Sequence, residues 1–103
     1  MAMTIESFLL EVRRHTKDGN LVIVPTLKNR TTRRMLGLSV VDLEGIVCNL
    51  SNDDFHEGPV EDRDRPNEFL YIFKTEYLDE MLYIKIKLQT DEARCISIHL
   101  DDI

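Results

Sequence analysis

Residues 81–100 read MLYIKIKLQTDEARCISIHL. Leu82, Ile84, Ile86 and Leu88 alternate with Tyr83, Lys85 and Lys87. Successive strand side chains point to opposite faces, so the first set predicts a buried face and the second an exposed one. The connection Thr90-Asp91-Glu92-Ala93 then turns the chain, and Ile96, Ile98 and Leu100 alternate with Cys95, Ser97 and His99. Short connections make antiparallel neighbours. Upstream, residues 69–75 read FLYIFKT, a third strand that is hydrophobic on both sides. Its facing is therefore left open by the pattern; one option puts Leu70 and Ile72 in the core, leaving Phe69, Tyr71 and Phe73 on the other face. The result is a three-strand antiparallel meander over 69–75, 81–89 and 94–100. One face is apolar; the other carries Tyr83, Lys85, Lys87, Ser97 and His99.

The first half of the chain reads differently. Ile5, Phe8, Leu9 and Val12 recur at helical spacing. Thr4 suits the N-cap and Gly19 the stop, which predicts a helix over 4–18. Leu21 to Val24 is a short β-branched strand ended by Pro25. A basic stretch, Lys28 to Arg34, predicts a short helix capped by Asn29 or Thr31 and closed by Gly37. Ser39 with Asp42 forms a capping-box pattern for a further helix, with Leu43, Ile46, Val47 and Leu50 as its apolar stripe. Residues 56–68, HEGPVEDRDRPNE, hold two prolines, a glycine and dense charge, so they read as an exposed loop. The fold class is α+β: N-terminal helices packed on one face of an antiparallel sheet that ends in a three-strand meander.

The chain has 103 residues, which suits a single domain over 1–103. Hydrophobic residues make up 43% and charged ones 31%, which excludes the disordered class. No stretch nears the roughly 20 apolar residues of a membrane helix, and no secretion signal is visible. Cys48 and Cys95 lack CxxC or His spacing and read as free thiols in a reducing cytoplasm.

Net charge is -6, which argues against passive nucleic-acid binding over the whole surface. The charge is uneven. Residues 1–50 hold seven Lys/Arg against five Asp/Glu, and residues 51–103 hold six against fourteen. The acids of the second half fall mainly in loops and the tail, while the strands carry bases. A local cationic groove is therefore compatible with an acidic chain.

Facing side chains on paired strands have Cβ atoms about 4.5–5.5 Å apart. His99, Tyr83 and Lys85 held at that spacing make a set able to cleave a phosphodiester without metal. RNA supplies its own nucleophile, the 2′-OH. Histidine suits the proton transfers, and lysines stabilise charge building on the phosphate. Lys87, Lys74, Arg65 and Ser97 are candidates to bind the substrate backbone, and Tyr83 can stack a base. Lysines and a histidine on an exposed sheet face are, however, more often plain surface residues. His56-Glu57 and Asp62/Asp64 carry metal-capable donors, but carboxylates in a charged loop are ordinarily solvated, so no metal or other cofactor is expected. Gly-rich phosphate loops, HExxH and GxSxG motifs are absent from the sequence.

A longer string of residues adds to this. Leu36-Gly37-Leu38-Ser39, Asp42, Leu50-Ser51-Asn52-Asp53-Asp54-Phe55, Gly58-Pro59, Asp62-Arg63-Asp64-Arg65-Pro66, Tyr83-Ile84-Lys85 and Cys95-Ile96-Ser97-Ile98-His99 follow one another. In order and spacing this string resembles MqsR-family toxins of type II toxin–antitoxin systems, over roughly residues 5 to 100. The resemblance implies a RelE-like fold and a metal-independent mRNA interferase on single-stranded message. It implies a cognate antitoxin as partner, DNA contact only through that antitoxin, and no membrane partner. Tyr83 matches a family active-site tyrosine. His99 falls where the best-known member has a catalytic lysine, and Glu57 where it has a functional lysine. The family's active-site glutamine has no clear match; the nearest positions are Tyr71 to Lys74. A non-catalytic RNA- or protein-binding module, or a degenerate homologue kept for autoregulation, stands as the alternative.

Overall fold

The computed structural model describes residues 3–102. In chain order they form α1 (Ile5–Lys17), β1 (Leu21–Ile23), α2 (Leu27–Leu36), α3 (Val40–Cys48) and a 3-10 turn (Asn52–Asp54). The sheet strands β2 (Phe55–Glu61), β3 (Phe69–Tyr77), β4 (Glu80–Leu88) and β5 (Ala93–Leu100) follow. The fold is α+β, with a five-strand mixed sheet in the order β1-β5-β4-β3-β2. β2 to β5 run antiparallel, and β1 adds in parallel to β5.

Capping chemistry sets the helix ends. Thr4 Oγ1 accepts from the Ser7 amide at 3.1 Å, satisfying one of the free N–H groups of the first turn. Beyond Lys17 the chain turns at Gly19, whose φ of +79° is open to glycine without a Cβ penalty. The Ser39–Asp42 capping box forms in both directions, at 2.8 and 3.1 Å. α2 starts earlier than expected. Thr26, not Asn29 or Thr31, is its N-cap, accepting from the Asn29 amide.

Asn29 is instead fully buried. β1 pairs with β5 only as far as Cys95, so the outer edge of β5 beyond it has no strand partner. α2 closes that edge with side chains. Asn29 donates to Val24 O (2.7 Å) and Ile96 O (3.0 Å) and accepts from Ile98 N (2.9 Å). Thr32 Oγ1 accepts from Leu100 N at 3.0 Å. Buried backbone groups left unpaired are costly, and these two side chains replace the missing strand.

Three readings of the strands are corrected. Residues 56–61, expected as loop, belong to β2 and pair with β3; the loop is confined to about Asp62–Glu68. β2 is an edge strand with register shifts, where Pro59 loses no central ladder bond. Gly58 lies so close to β3 that a Cβ there would sit 2.9 Å from Leu70 O. On β3, Tyr71 and Phe73 face the core, not Leu70 and Ile72. Phe8 of α1 decides this, stacking on Tyr71 at 4.0 Å and on Phe73 at 6.1 Å between ring centroids. On β5, Lys85 pairs with Ser97 but Ile86 pairs with Cys95, so one extra residue, Ile96, is bulged. The bulge reverses the alternation. Cys95 is buried in the core, and Ile96 and Arg94 move to the polar face. Burial pushes the Cys95 thiol up to about 12, so it is an inert core group. Cys48 and Cys95 are both free.

Candidate functional site on the polar sheet face

The core side of the meander is packed under α1 and α3. The other side is open and is crossed by two adjoining grooves that share Lys85 and Ile96. The first, of about 650 Å³, has Tyr83, Lys85, Ser97 and His99 on its floor. The ladder puts them there: Tyr83 lies opposite His99, and Lys85 opposite Ser97. The Tyr83 and His99 rings stack with centroids 5.4 Å apart and planes 21° apart. Lys85 Nζ is 5.9 Å from the Tyr83 ring centroid. Tyr83 is thus the middle of the set, with the His99 ring and the Lys85 ammonium each within about 6 Å of its ring centroid.

His99 is only 8% exposed. Its Nδ1 lies 2.8 Å from Leu100 O. A carbonyl only accepts, so Nδ1 carries the proton and the neutral ring keeps its lone pair on Nε2. Nε2 has no hydrogen-bond partner among the described residues. Burial, then the nearby charges of Glu57 and Asp101, raise the Tyr83 pKa above its ordinary 10.0. Its hydroxyl is therefore a donor throughout the physiological range.

The remaining candidates separate. Lys74 lies opposite Tyr83 on β3, with its ammonium 3.3 Å from Asp101 Oδ2. Asp101 also borders the first groove, so Lys74 is paired with a carboxylate beside the site whose charge still reaches Tyr83. Lys87, expected to contact substrate, is instead engaged in the structure. It is 4% exposed, and its ammonium lies 2.9 Å from Asp62 Oδ2 and 2.8 Å from Glu68 Oε1. Burial alone would lower its pKa; the two carboxylates outweigh it and raise it. In return, hydrogen bonding from Lys87 holds Asp62 and Glu68 below their usual range. Arg65 borders the second groove, of about 880 Å³, with Arg63 and Arg94. Glu57 pairs with Ile72 on the β2 side of that groove and adds negative charge.

One wall of the first groove was missed in the sequence: Thr26, Leu27 and Lys28, at the start of α2. The signal was Pro25-Thr26, a chain-breaking residue followed by an N-cap type three residues before Asn29. Among the described residues, no group of three or more His, Cys, Asp or Glu is placed to hold a metal ion. No described helix is long and apolar enough to cross a membrane. No family model and no curated protein matches the sequence.

Proposed function

We propose that the chain is the toxin of a type II toxin–antitoxin system, a metal-independent endoribonuclease acting on single-stranded mRNA from the Tyr83–Lys85–His99 groove. The observation that supports this most is His99: a nearly buried imidazole with Nδ1 tied to a carbonyl and a free Nε2 on the floor of the groove. In this reading Nε2 takes the proton of the RNA 2′-OH as the O2′–P bond forms and the P–O5′ bond breaks. The product ends are a 2′,3′-cyclic phosphate and a 5′-hydroxyl. Lys85 faces the phosphate, stabilises its developing charge and gives the departing 5′-oxygen its proton. The raised pKa of Tyr83 makes it the poorer acid, and its hydroxyl holds a phosphate oxygen while its ring faces a base. The resemblance to MqsR-family toxins adds the partner: an antitoxin that silences the enzyme and carries any DNA contact.

The test is cleavage of a single-stranded RNA in EDTA by the wild type, His99→Ala and Tyr83→Phe. His99→Ala is expected to slow cleavage by about 10²–10⁴-fold. Equal rates and equal products would end the assignment. One observation favours a second reading, a non-catalytic binding module: Glu57 and Asp101 place negative charge beside Tyr83 and work against a phosphate there. RNA retention without cleavage, together with no growth inhibition on expression, would select it.

A further inference from the structure

The first groove has two sides of different make. The floor is strand residues Tyr83, Lys85, Ser97 and His99; the wall is the first turn of α2. Thr26 spends its side chain and carbonyl within the helix, accepting from Asn29 N and Arg30 N. The Leu27 and Lys28 amides, at the first two helical positions, donate to no acceptor among the described residues. Lys28 is in no ion pair among the described residues, and Leu27 is 71% exposed at the groove's rim. An α-helix start of this kind attracts anions through its free N–H groups and dipole. Across the groove stands His99, more than nine-tenths buried and with Nε2 unpartnered. A volume of about 650 Å³ falls within the range of roughly 300–1,000 Å³ of small-ligand sites.

From this we infer that the first turn of α2 is the second half of a nucleic-acid site: Lys28 and the two free amides hold the phosphate next to the one at His99, and Leu27 packs against the attached nucleoside. The ligand class is a single-stranded polynucleotide. The inference rests on reading the groove as a ribonuclease site, and it adds the residues that position the strand. The other basic side chains of α2 do not share this role. Arg30, Arg33 and Arg34 border a separate concavity with Leu38.

The experiment uses the full chain and a fluorescent all-2′-deoxy oligonucleotide, which binds as a single strand but lacks the 2′-OH and cannot be cut. Lys28→Gln is expected to weaken its binding about 3–10-fold at low salt and to reduce the salt dependence by about one phosphate contact. Arg34→Gln, on the same helix, leaves both unchanged. On cleavable RNA, Lys28→Gln raises KM and leaves kcat within about twofold, as lost uniform binding does. Equal losses for Lys28→Gln and Arg34→Gln, no loss for Lys28→Gln, or no binding by the wild type would each overturn the inference. Deoxy-oligonucleotide binding that depends on Lys28, without any RNA cleavage, would sink the catalytic reading and leave this wall standing.

Discussion

Lys85 and Lys87 sit two residues apart on β4 and point to the same side of the sheet, yet they live in different chemistry. Lys85 is half-buried between the two grooves, near the Tyr83 ring, with no carboxylate partner among the described residues. Lys87 is buried under the 62–68 loop, between Asp62 and Glu68. The difference lies in what covers each end of the polar face. Toward His99 the cover is α2, fastened by neutral hydrogen bonds from Asn29 and Thr32. Toward Arg94 the cover is the loop, fastened by charge. One end of the face keeps its cation available and the other consumes it. The sharpest ways to break this contrast attack the two fasteners separately.

The largest effect is expected at Asn29. Its amide serves Val24 O, Ile96 O and Ile98 N from a fully buried position. Asn29→Ala takes the side-chain partner from Ile96 O and Ile98 N at the β5 bulge, while Val24 O keeps the Thr26 amide. Each buried group without a partner costs about 1–3 kcal/mol, so a loss of roughly 3 kcal/mol in urea unfolding is expected once water reaches some of them. A loss under about 0.5 kcal/mol, the range of an ordinary surface substitution, would mean that α2 does not hold the edge of β5.

A second pair of variants tests the division between the lysines. Lys87→Met removes the ion pair and leaves Asp62 and Glu68 without their shared partner. It is expected to lower Tm by about 4–8 °C, the shift that 1 kcal/mol produces in a domain of this size. The RNA cleavage rate at a temperature where the variant is folded should stay within about threefold, less than half of a tenfold-per-1.4 kcal/mol change. Lys85→Met is expected to do the reverse: Tm unchanged within about 2 °C and cleavage slowed about 10–100-fold. Matching effects of the two variants on either measurement would erase the contrast.

These expectations rest on features that differ in how visible they are in the sequence. Short-range chemistry is plain: the Thr4 and Ser39 caps, the helical spacing from Ile5 to Val12 and the alternation from Leu82 to Leu88 all stand in the structure. Tyr83, Lys85, Ser97 and His99 were legible as one face because alternation fixes facing across a regular ladder. Facing fails where the ladder is irregular. Residues 94–100 alternate equally well with or without a bulge, so nothing local placed Cys95 in the core and Ile96 outside it. β3 is apolar on both sides, and only Phe8, more than sixty residues earlier, chooses Tyr71 and Phe73 for the core. β2 hid behind Gly58, Pro59 and its charges, which an edge strand tolerates. The fate of Lys87 depended on Asp62, 25 residues away, and alternation carries no information on such a partner.

The smallest expected effect separates the fasteners by pH. The Asn29 contacts are neutral and should contribute equally at every pH where the chain is folded. The Lys87 cluster titrates. Asp62 and Glu68, with ordinary values of 3.8 and 4.5, are held lower in the folded state, chiefly by hydrogen bonding from Lys87. A depressed carboxylate stabilises the fold above its unfolded value, and that contribution fades as pH falls through the folded one. Lys87 is raised above 10.5, so its contribution is complete below that value and is lost as pH climbs through the raised one. The stability difference between the wild type and Lys87→Met should therefore be flat from about pH 5 to about pH 10 and shrink on both sides. The difference between the wild type and Asn29→Ala should show no acid limb. Urea midpoints measured from pH 3 to pH 7 for all three proteins are enough to see this. A Lys87→Met difference that holds constant down to pH 3 would show that the loop is fastened by something other than charge. Both ends of the polar face would then be held by neutral contacts, and the reason Lys87 lies against the loop would have to be sought in packing alone.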